Sequence, residues 1–152
     1  MSGEVIPKYP LIIMHSDPSQ CLYCQDTWGN LMIKIADLKV SRAFLFKEQT
    51  YRGRCLVAYN GHVNDLNELS VEERNAFMDD VCRVTSAMQK AFNPEKINYG
   101  AYSDKLSHLH FHLAPKYVDG PDYGGIFTMN PGKVYLSDAE YEELINEVKK
   151  YL

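Results

Sequence analysis

The sequence predicts a single α+β domain over residues 1–152, with an antiparallel meander sheet of about five strands, one central helix and a C-terminal helix. Three observations predict this fold class. The chain of 152 residues is close to the usual size of one domain. Short apolar runs follow one another through short polar connections, which favours an antiparallel meander. Two serines, Ser70 and Ser137, each precede a glutamate by three residues and introduce an apolar run with helical periodicity.

The predicted strands fall in two groups, on either side of the central helix. After an irregular, proline-containing N-terminal segment, the first group covers residues 31–35, 40–46 and 54–59. The second group covers residues 97–102 and 108–114. A loop rich in glycine and proline follows at residues 117–132 and is predicted to be irregular.

Both predicted helices begin at a capping box. Ser70 with Glu73 opens the central helix, in which apolar side chains recur at steps of three and four until about Asn93. Ser137 with Glu140 opens the C-terminal helix in the same way. We therefore expect one apolar face on each helix to pack against the sheet.

Composition and charge exclude several functional classes. The net charge of -4 argues against a partner with a long run of phosphates, so no polymeric nucleic acid is expected. The longest apolar stretch, at residues 11–14, is too short to cross a bilayer, and the first residues do not resemble a secretion signal. A cytoplasmic protein is therefore predicted, in which the four cysteines stay reduced or bind metal.

Three histidines lie in one predicted strand at strict alternation: His108, His110 and His112. Side chains alternate between the faces of a strand, so these imidazoles share one face and neighbours lie roughly 7 Å apart. An inert polar face is a poor explanation, because close imidazoles suppress one another's protonation. Neutral imidazoles suit nucleophilic attack, and they equally suit a catalytic zinc site with three histidine ligands. Spacing alone leaves both alternatives open.

The pair Cys21 and Cys24 has the spacing with which two thiolates grip one zinc ion. A redox pair normally opens a helix after a strand, and here a turn-like sequence follows instead, although redox chemistry and two unconnected cysteines stay open as alternatives. His62, at the end of a predicted strand, is the natural third ligand, or else a surface histidine in a turn. Cys55 and Cys82 have no partner at metal spacing, so we predict that both are packing residues.

The sequence from His108 to Pro115 resembles the signature of the histidine triad family, in which histidines alternate with apolar residues. The order of an early Cys-x-x-Cys, meander strands, a helix and the triad strand fits as well, over roughly residues 21–117. The resemblance implies nucleotide hydrolases and transferases, commonly homodimers, that act on the phosphate nearest the nucleoside. It also implies that His110 attacks phosphorus and is transiently nucleotidylated, with no metal required for that chemistry.

The resemblance extends to a metal site. Some bacterial members hold a structural zinc with two such cysteines, a histidine at the end of a strand and the first triad histidine. Carried over, the ligands are Cys21, Cys24, His62 and His108. Four protein ligands leave no open position, so the zinc would be structural rather than catalytic.

The remaining roles are predicted with this family as the guide. His112 is expected to hydrogen-bond the phosphate and stabilise charge in the transition state, while a neighbouring backbone carbonyl holds the proton on the other nitrogen of His110. Many members have glutamine and serine before the triad, where this chain has Asp104 and Lys105. We predict that Lys105 binds phosphate or protonates the leaving group, unless it is simply a solvated lysine. The residues predicted to contact substrate are Asn98, Ser103, Asp104 and His112.

A second departure concerns the nucleoside. Many members carry an acidic or amide residue for the ribose hydroxyls at the place of Phe46 and Lys47. The sequence thus predicts an enzyme that transfers or hydrolyses nucleotidyl groups of phosphoramidates or dinucleoside polyphosphates. It leaves open a non-catalytic nucleotide-binding module, and a zinc hydrolase that uses the three triad histidines as ligands.

Overall fold

The computed structural model describes residues 17–152, so the first part of the predicted irregular segment lies outside the described residues. One antiparallel sheet has the strand order β1-β2-β3-β5-β4. The strands are β1 (Met32–Asp37), β2 (Ser41–Phe46), β3 (Cys55–Tyr59), β4 (Lys96–Gly100) and β5 (His110–Lys116). The predicted α+β class and the five-strand antiparallel sheet are confirmed.

Helix α1 (Val71–Phe92) and helix α2 (Asp138–Lys149) begin where the capping boxes predict. The side chain of Ser70 accepts a hydrogen bond from the backbone of Glu73, and Ser137 does the same for Glu140. Helix α1 ends at Phe92, and its C-cap Asn93 adopts the left-handed conformation with φ 48° directly before a proline. Within residues 17–152, neither helix is long and apolar enough to cross a membrane.

The two faces of the sheet have different neighbours, because alternate residues of each strand point to opposite sides. In β2, Ala43 and Leu45 join the main core, which both helices cover. Phe44 and Phe46 point to the other face and pack in a second cluster with Tyr23, from the segment that precedes the sheet. In β5, Leu113 joins the main core, which leaves the histidines on the second face.

Two expectations need correction at the level of single residues. The strand that carries the triad begins at His110, not at His108, because the preceding residues form a tight turn in which the His108 amide donates to the Leu106 carbonyl. Cys82 was predicted to be a packing residue, but it is exposed. It lies between Val81 and Arg83 on α1, and only the Val81 position belongs to the apolar stripe. Cys55 is fully buried in the main core, as predicted.

Candidate active site and metal group

All three triad histidines lie on the second face of the sheet and are almost completely buried, with His108 at 0%, His110 at 4% and His112 at 6% exposure. Strand β5 pairs with β3 so that His112 stands opposite Leu56 and His110 opposite Ala58. Leu56 and Ala58 belong to the second cluster, so they lie on the same face as the histidines. The alternation that the sequence shows is therefore present in the structure, even though His108 precedes the regular strand.

The orientation of His110 is fixed by one backbone carbonyl. Its Nδ1 lies 2.6 Å from the carbonyl oxygen of His108, which can only accept, so Nδ1 carries the proton and donates. The Ser103 hydroxyl donates to the same carbonyl at 3.2 Å. Burial lowers the pKa of His110, so the ring is neutral near pH 7. The Nε2 lone pair of a neutral imidazole is therefore left free for chemistry.

His112 carries its proton on the opposite ring nitrogen to His110, because a guanidinium occupies its Nδ1 side. Nη2 of Arg54 lies 2.9 Å from Nδ1 of His112, and a guanidinium can only donate. Nδ1 therefore accepts and the proton resides on Nε2. Burial, followed by the positive charge of Arg54, lowers the pKa of His112 to about 2. The rings of His110 and His112 are 5.1 Å apart, so a neutral nucleophile lies beside a neutral hydrogen-bond donor.

Arg54 was not predicted to be a site residue. Arg54 is fully buried at the start of β3, and its guanidinium lies over the rings of Phe46 at 4.3 Å and Phe127 at 5.1 Å. Strand alternation places Arg54 on the same face as Leu56 and Ala58, and that was a signal in the sequence. Its relevance depends on β3 lying next to β5, and this strand order was not predicted.

The third histidine, His108, takes part in a different group. Its Nε2 lies 2.6 Å from the Tyr59 carbonyl and carries the proton. Its Nδ1 lies 3.3 Å from Sγ of Cys21 and 3.6 Å from Sγ of Cys24. Nδ1 of His62 lies 3.3 Å from Sγ of Cys24. The structure thus brings together the four predicted metal ligands, whose ligand atoms all lie within 4.8 Å of one another.

This donor set fits zinc. A tetrahedral zinc with bonds of about 2.0–2.3 Å separates its nitrogen and sulfur ligands by about 3.3–3.8 Å. The three contacts from His108 and His62 to the two thiols, at 3.3, 3.6 and 3.3 Å, lie in that range. Burial and the neighbouring Cys21 thiol raise the pKa of Cys24 to about 11, so a bound cation would be needed to hold Cys24 as a thiolate at neutral pH. The hydrogen bond from Nε2 of His108 to the Tyr59 carbonyl would hold the ring with Nδ1 facing the metal, as such bonds do for histidine ligands in general. These residues could hold a metal ion, and the motif itself lies in a turn rather than opening a helix.

The segment that carries the cysteines also covers the triad. The ring of Tyr23 lies 4.9 Å from that of His108 and 5.3 Å from that of His110. Arg42 donates to the Tyr23 carbonyl at 2.7 Å and pairs with Asp26 at 2.9 Å, which fastens the segment to β2. On the other side, Phe46 meets the ring of His112 edge to face at 5.8 Å. Phe46, at the place where the family resemblance predicts a residue for the ribose hydroxyls, therefore packs against a triad histidine.

The predicted substrate residues are only partly brought together. Asn98 is half-buried, and it lies on the histidine face, because it stands opposite Ala114 while Gly100 stands opposite His112. Ser103 is buried and adopts the left-handed conformation with φ 62°. Asp104 and Lys105 are exposed, and no hydrogen bond or ion pair within residues 17–152 joins them to the triad. Lys105 lines a cavity of about 100 Å³ together with residues 20–23 and 106–107.

Comparison with known proteins agrees with this geometry. The model of the HIT domain family matches residues 32–119. Over 102 residues the chain is 29% identical to the adenosine 5'-monophosphoramidase hnt1 of Schizosaccharomyces pombe, which covers 63% of this chain and 74% of that protein.

Two solved structures have the same fold. A histidine triad protein from Sinorhizobium meliloti aligns with a TM-score of 0.77 at 17% identity, over 84% of this chain and 94% of the other. A zinc-bound histidine triad family protein from Mycobacterium smegmatis aligns with a TM-score of 0.65 at 18% identity, over 88% of this chain and 96% of the other. The family match covers more than half of the sequence and includes all five strands and helix α1. This chain belongs to the HIT domain family.

Proposed function

We propose that this protein hydrolyses or transfers nucleotidyl groups, acting at the α-phosphate of nucleoside phosphoramidates or dinucleoside polyphosphates through a nucleotidyl-His110 intermediate. The observation that carries the proposal is the hydrogen bond of 2.6 Å from Nδ1 of His110 to the His108 carbonyl. It leaves Nε2 of a buried, neutral imidazole with a free lone pair on the histidine face. The similarity to an adenosine 5'-monophosphoramidase supports the substrate class.

The reaction follows from these protonation states in two steps. In the first, the Nε2 lone pair of His110 forms a bond to phosphorus while the bond from phosphorus to the leaving group breaks, and the leaving group departs with that electron pair and takes up a proton. Nδ1 keeps its proton on the His108 carbonyl. In the second step, water attacks phosphorus and loses one proton to solvent, while the nitrogen–phosphorus bond breaks with its electron pair returning to Nε2. The nucleoside monophosphate then leaves neutral His110.

His112 supplies the electrophilic side of the same proposal. Its Nε2 proton donates to a phosphoryl oxygen, on which negative charge builds as phosphorus is attacked. Asn98, on the same face, is proposed to contact the phosphate, and Ser103 and Asp104 to complete the substrate contacts. Lys105 is proposed to protonate the leaving group from the exposed loop beside the site.

A zinc ion held by Cys21, Cys24, His62 and His108 is proposed as a structural element. Bound there, it would supply a cross-link between the N-terminal segment and the triad strand, with all four tetrahedral positions filled by protein. A catalytic zinc site, with the three triad histidines as its ligands, is a weaker explanation. Nδ1 of His110 and Nδ1 of His112 already have partners, and within residues 17–152 the three triad rings do not form a group of convergent ligand atoms.

The test is phosphorus NMR of wild type and His110→Ala with adenosine phosphoramidate, diadenosine polyphosphates and nucleotide sugars. We expect turnover by wild type, at least about 10³-fold less by the variant, and an unchanged circular dichroism spectrum. An adduct on wild-type protein, found by intact-mass spectrometry after rapid acid quench, is expected to be absent from the variant. Wild-type turnover in His110→Ala would refute the nucleophile.

A non-catalytic nucleotide-binding module is the alternative that the same experiment distinguishes. The exposed Asp104 and Lys105 and the apolar Phe46 are the departures that favour it. In that case calorimetry would detect nucleotide binding of equal affinity in both proteins, while phosphorus NMR would detect no turnover in either.

Assembly, expected from the family resemblance, and location, predicted from the sequence, are part of the proposal. A homodimer is expected and a cytoplasmic location is predicted. Light scattering coupled to size-exclusion chromatography measures the assembly, and a mass of one chain, 17.4 kDa, would contradict the dimer.

A further inference from the structure

We propose that Arg54 is the positioning residue of the triad: its guanidinium locks the Nε2-protonated form of His112 and holds a positive charge, without a carboxylate partner, behind that ring. The state of His112 can be measured without any substrate. Only the kinetic consequence of the proposal rests on the proposed function.

The guanidinium is held from several sides. Nη1 donates to the Met129 carbonyl at 2.9 Å and to the Thr128 carbonyl at 3.5 Å, and Nη2 lies 3.2 Å from Sδ of Met129. Nη2 also makes the contact with Nδ1 of His112 at 2.9 Å. The rings of Phe46 and Phe127 lie at 4.3 Å and 5.1 Å. With 0% of its surface exposed, Arg54 cannot turn away into solvent.

The charge of Arg54 has no ion-pair partner among residues 17–152. Glu48 is the acidic residue whose charge raises the pKa of Arg54 most. Its carboxylate accepts hydrogen bonds from Thr50 and from the backbone of Lys133 and Val134. Nε of Arg54 is buried and has no hydrogen-bond partner in the described part of the chain. Burial lowers the pKa of Arg54 to about 10, so the side chain stays charged at neutral pH. A buried, unpaired cation is unfavourable for stability alone, which points to a functional reason for its presence.

That reason lies in the chemistry of the pair His110 and His112. A neutral imidazole can carry its proton on either nitrogen, and the carbonyls and guanidiniums around it decide which. Arg54 can donate but never accept, so Nδ1 of His112 must be the acceptor and Nε2 the donor. The positive charge also polarises the Nε2–H bond, which strengthens its hydrogen bond to an anionic phosphoryl oxygen. Arg54 therefore acts on substrate through His112.

Three variants separate the hydrogen bond from the charge. Arg54→Met removes both, and Arg54→Gln keeps an amide that can donate to Nδ1 but removes the charge. Arg52→Met is the matched control, because Arg52 is exposed. Its guanidinium lies over the ring of Phe92 at 5.5 Å, and Phe92 belongs to the main core, away from the histidines. Circular dichroism and thermal unfolding report on the fold of each variant.

The first readout is long-range ¹H–¹⁵N NMR of the histidine rings in zinc-loaded protein without substrate. We expect Nε2-protonated His112 in wild type, Arg54→Gln and Arg52→Met, and a shift toward the Nδ1-protonated form in Arg54→Met. An Nδ1-protonated His112 in wild type overturns the proposal, and so does an unchanged signal in a folded Arg54→Met. If Arg54→Met does not fold, the proposal stands or falls on the wild-type signal and on the kinetics of Arg54→Gln.

The second readout is turnover. Loss of a preorganised donor to developing charge lowers kcat by about 10²-fold, so we expect that loss in Arg54→Met, a smaller loss in Arg54→Gln and none in Arg52→Met. Active wild type with inactive His110→Ala, together with full kcat in both Arg54 variants, refutes the role of Arg54 alone. No turnover by wild type, with the expected NMR signals, refutes the proposed function and leaves the positioning of His112 intact.

Discussion

The two ends of the triad differ in chemistry although they share one residue type and one face of the sheet. At the first end, Nε2–H of His108 donates a hydrogen bond to the Tyr59 carbonyl, and Nδ1 faces Cys21 and Cys24. At the other end, Nδ1 of His112 accepts a hydrogen bond from Arg54, and the proton of His112 is on Nε2. The partner of one nitrogen thus decides what the other nitrogen can do.

His110 lies between these ends and depends on the first one. The carbonyl that orients it belongs to His108, so the backbone of a proposed metal ligand holds the proposed nucleophile. The side chains of the two residues have separate tasks, whereas the backbone connects them. A change at the metal group should therefore act on His110 through backbone position, while a change at Arg54 should act on His112 directly.

The largest expected effect on stability comes from the metal group. Cys24→Ser is expected to lower the free energy of unfolding, relative to zinc-loaded wild type, by about 4 kcal/mol when free zinc is a thousandfold above its Kd. The proposed zinc would bind the folded state, and loss of one thiolate would remove a ligand that the other three cannot replace. Denaturant unfolding at fixed free zinc measures the difference.

Cys82→Ser is the control for that experiment, because Cys82 is exposed on α1 outside the metal group. It should unfold as wild type does, and a chelator should destabilise wild type and Cys82→Ser equally. If Cys24→Ser is as stable as wild type at every zinc concentration, the four residues are not a metal site.

A smaller effect is expected at the other end of the triad, in the pH dependence of stability. The pKa of His112 is about 2 in the folded protein and about 6.5 when unfolded, so the unfolded state binds more protons below pH 6.5. Stability contributed by neutral His112 is therefore complete above pH 6.5 and is lost as the pH falls toward the folded pKa. Between pH 6.5 and 5 the loss is about 1.5 kcal/mol.

His112→Asn isolates this contribution, because its amide oxygen lies near the place of Nδ1, where it can accept from Arg54, while the amide cannot titrate. Free energies of unfolding measured from pH 7 to 5 at fixed free zinc should fall less steeply in the variant. The zinc ligands and His110 contribute equally to both proteins, so the difference between the two curves belongs to His112. Parallel curves would contradict a neutral, buried His112.

The helices, the strands and the grouping of the four candidate metal ligands were predictable from the sequence, for two different reasons. Capping boxes, apolar periodicity and strand alternation are short-range patterns, so the helices and the histidine face follow from neighbouring residues. The grouping of Cys21 and Cys24 with His62 and His108 came from a motif whose spacing is known for the family.

Arg54 was not predictable in this way, because its role depends on which strands are neighbours. The contact with His112 needs β3 to lie beside β5, and the contact with Met129 needs a loop that returns after β5. The prediction that Cys82 is a packing residue failed for a simpler reason. Residues of a helix point in all directions, and a cysteine next to an apolar position need not belong to the apolar face of the helix.

The smallest expected effect tests the link between the two ends. Ser103→Gly removes the hydroxyl that donates to the His108 carbonyl at 3.2 Å, and glycine accepts the backbone φ of 62° without strain. The carbonyl keeps its bond from His110, so we expect a loss of about 1 kcal/mol in stability and a decrease of a few-fold in kcat. Ser103→Asn, which also tolerates that φ, is the control for added glycine flexibility. If stability falls while the Nδ1-protonated signal of His110 and kcat do not change, the Ser103 hydroxyl stabilises the turn without helping to orient the nucleophile.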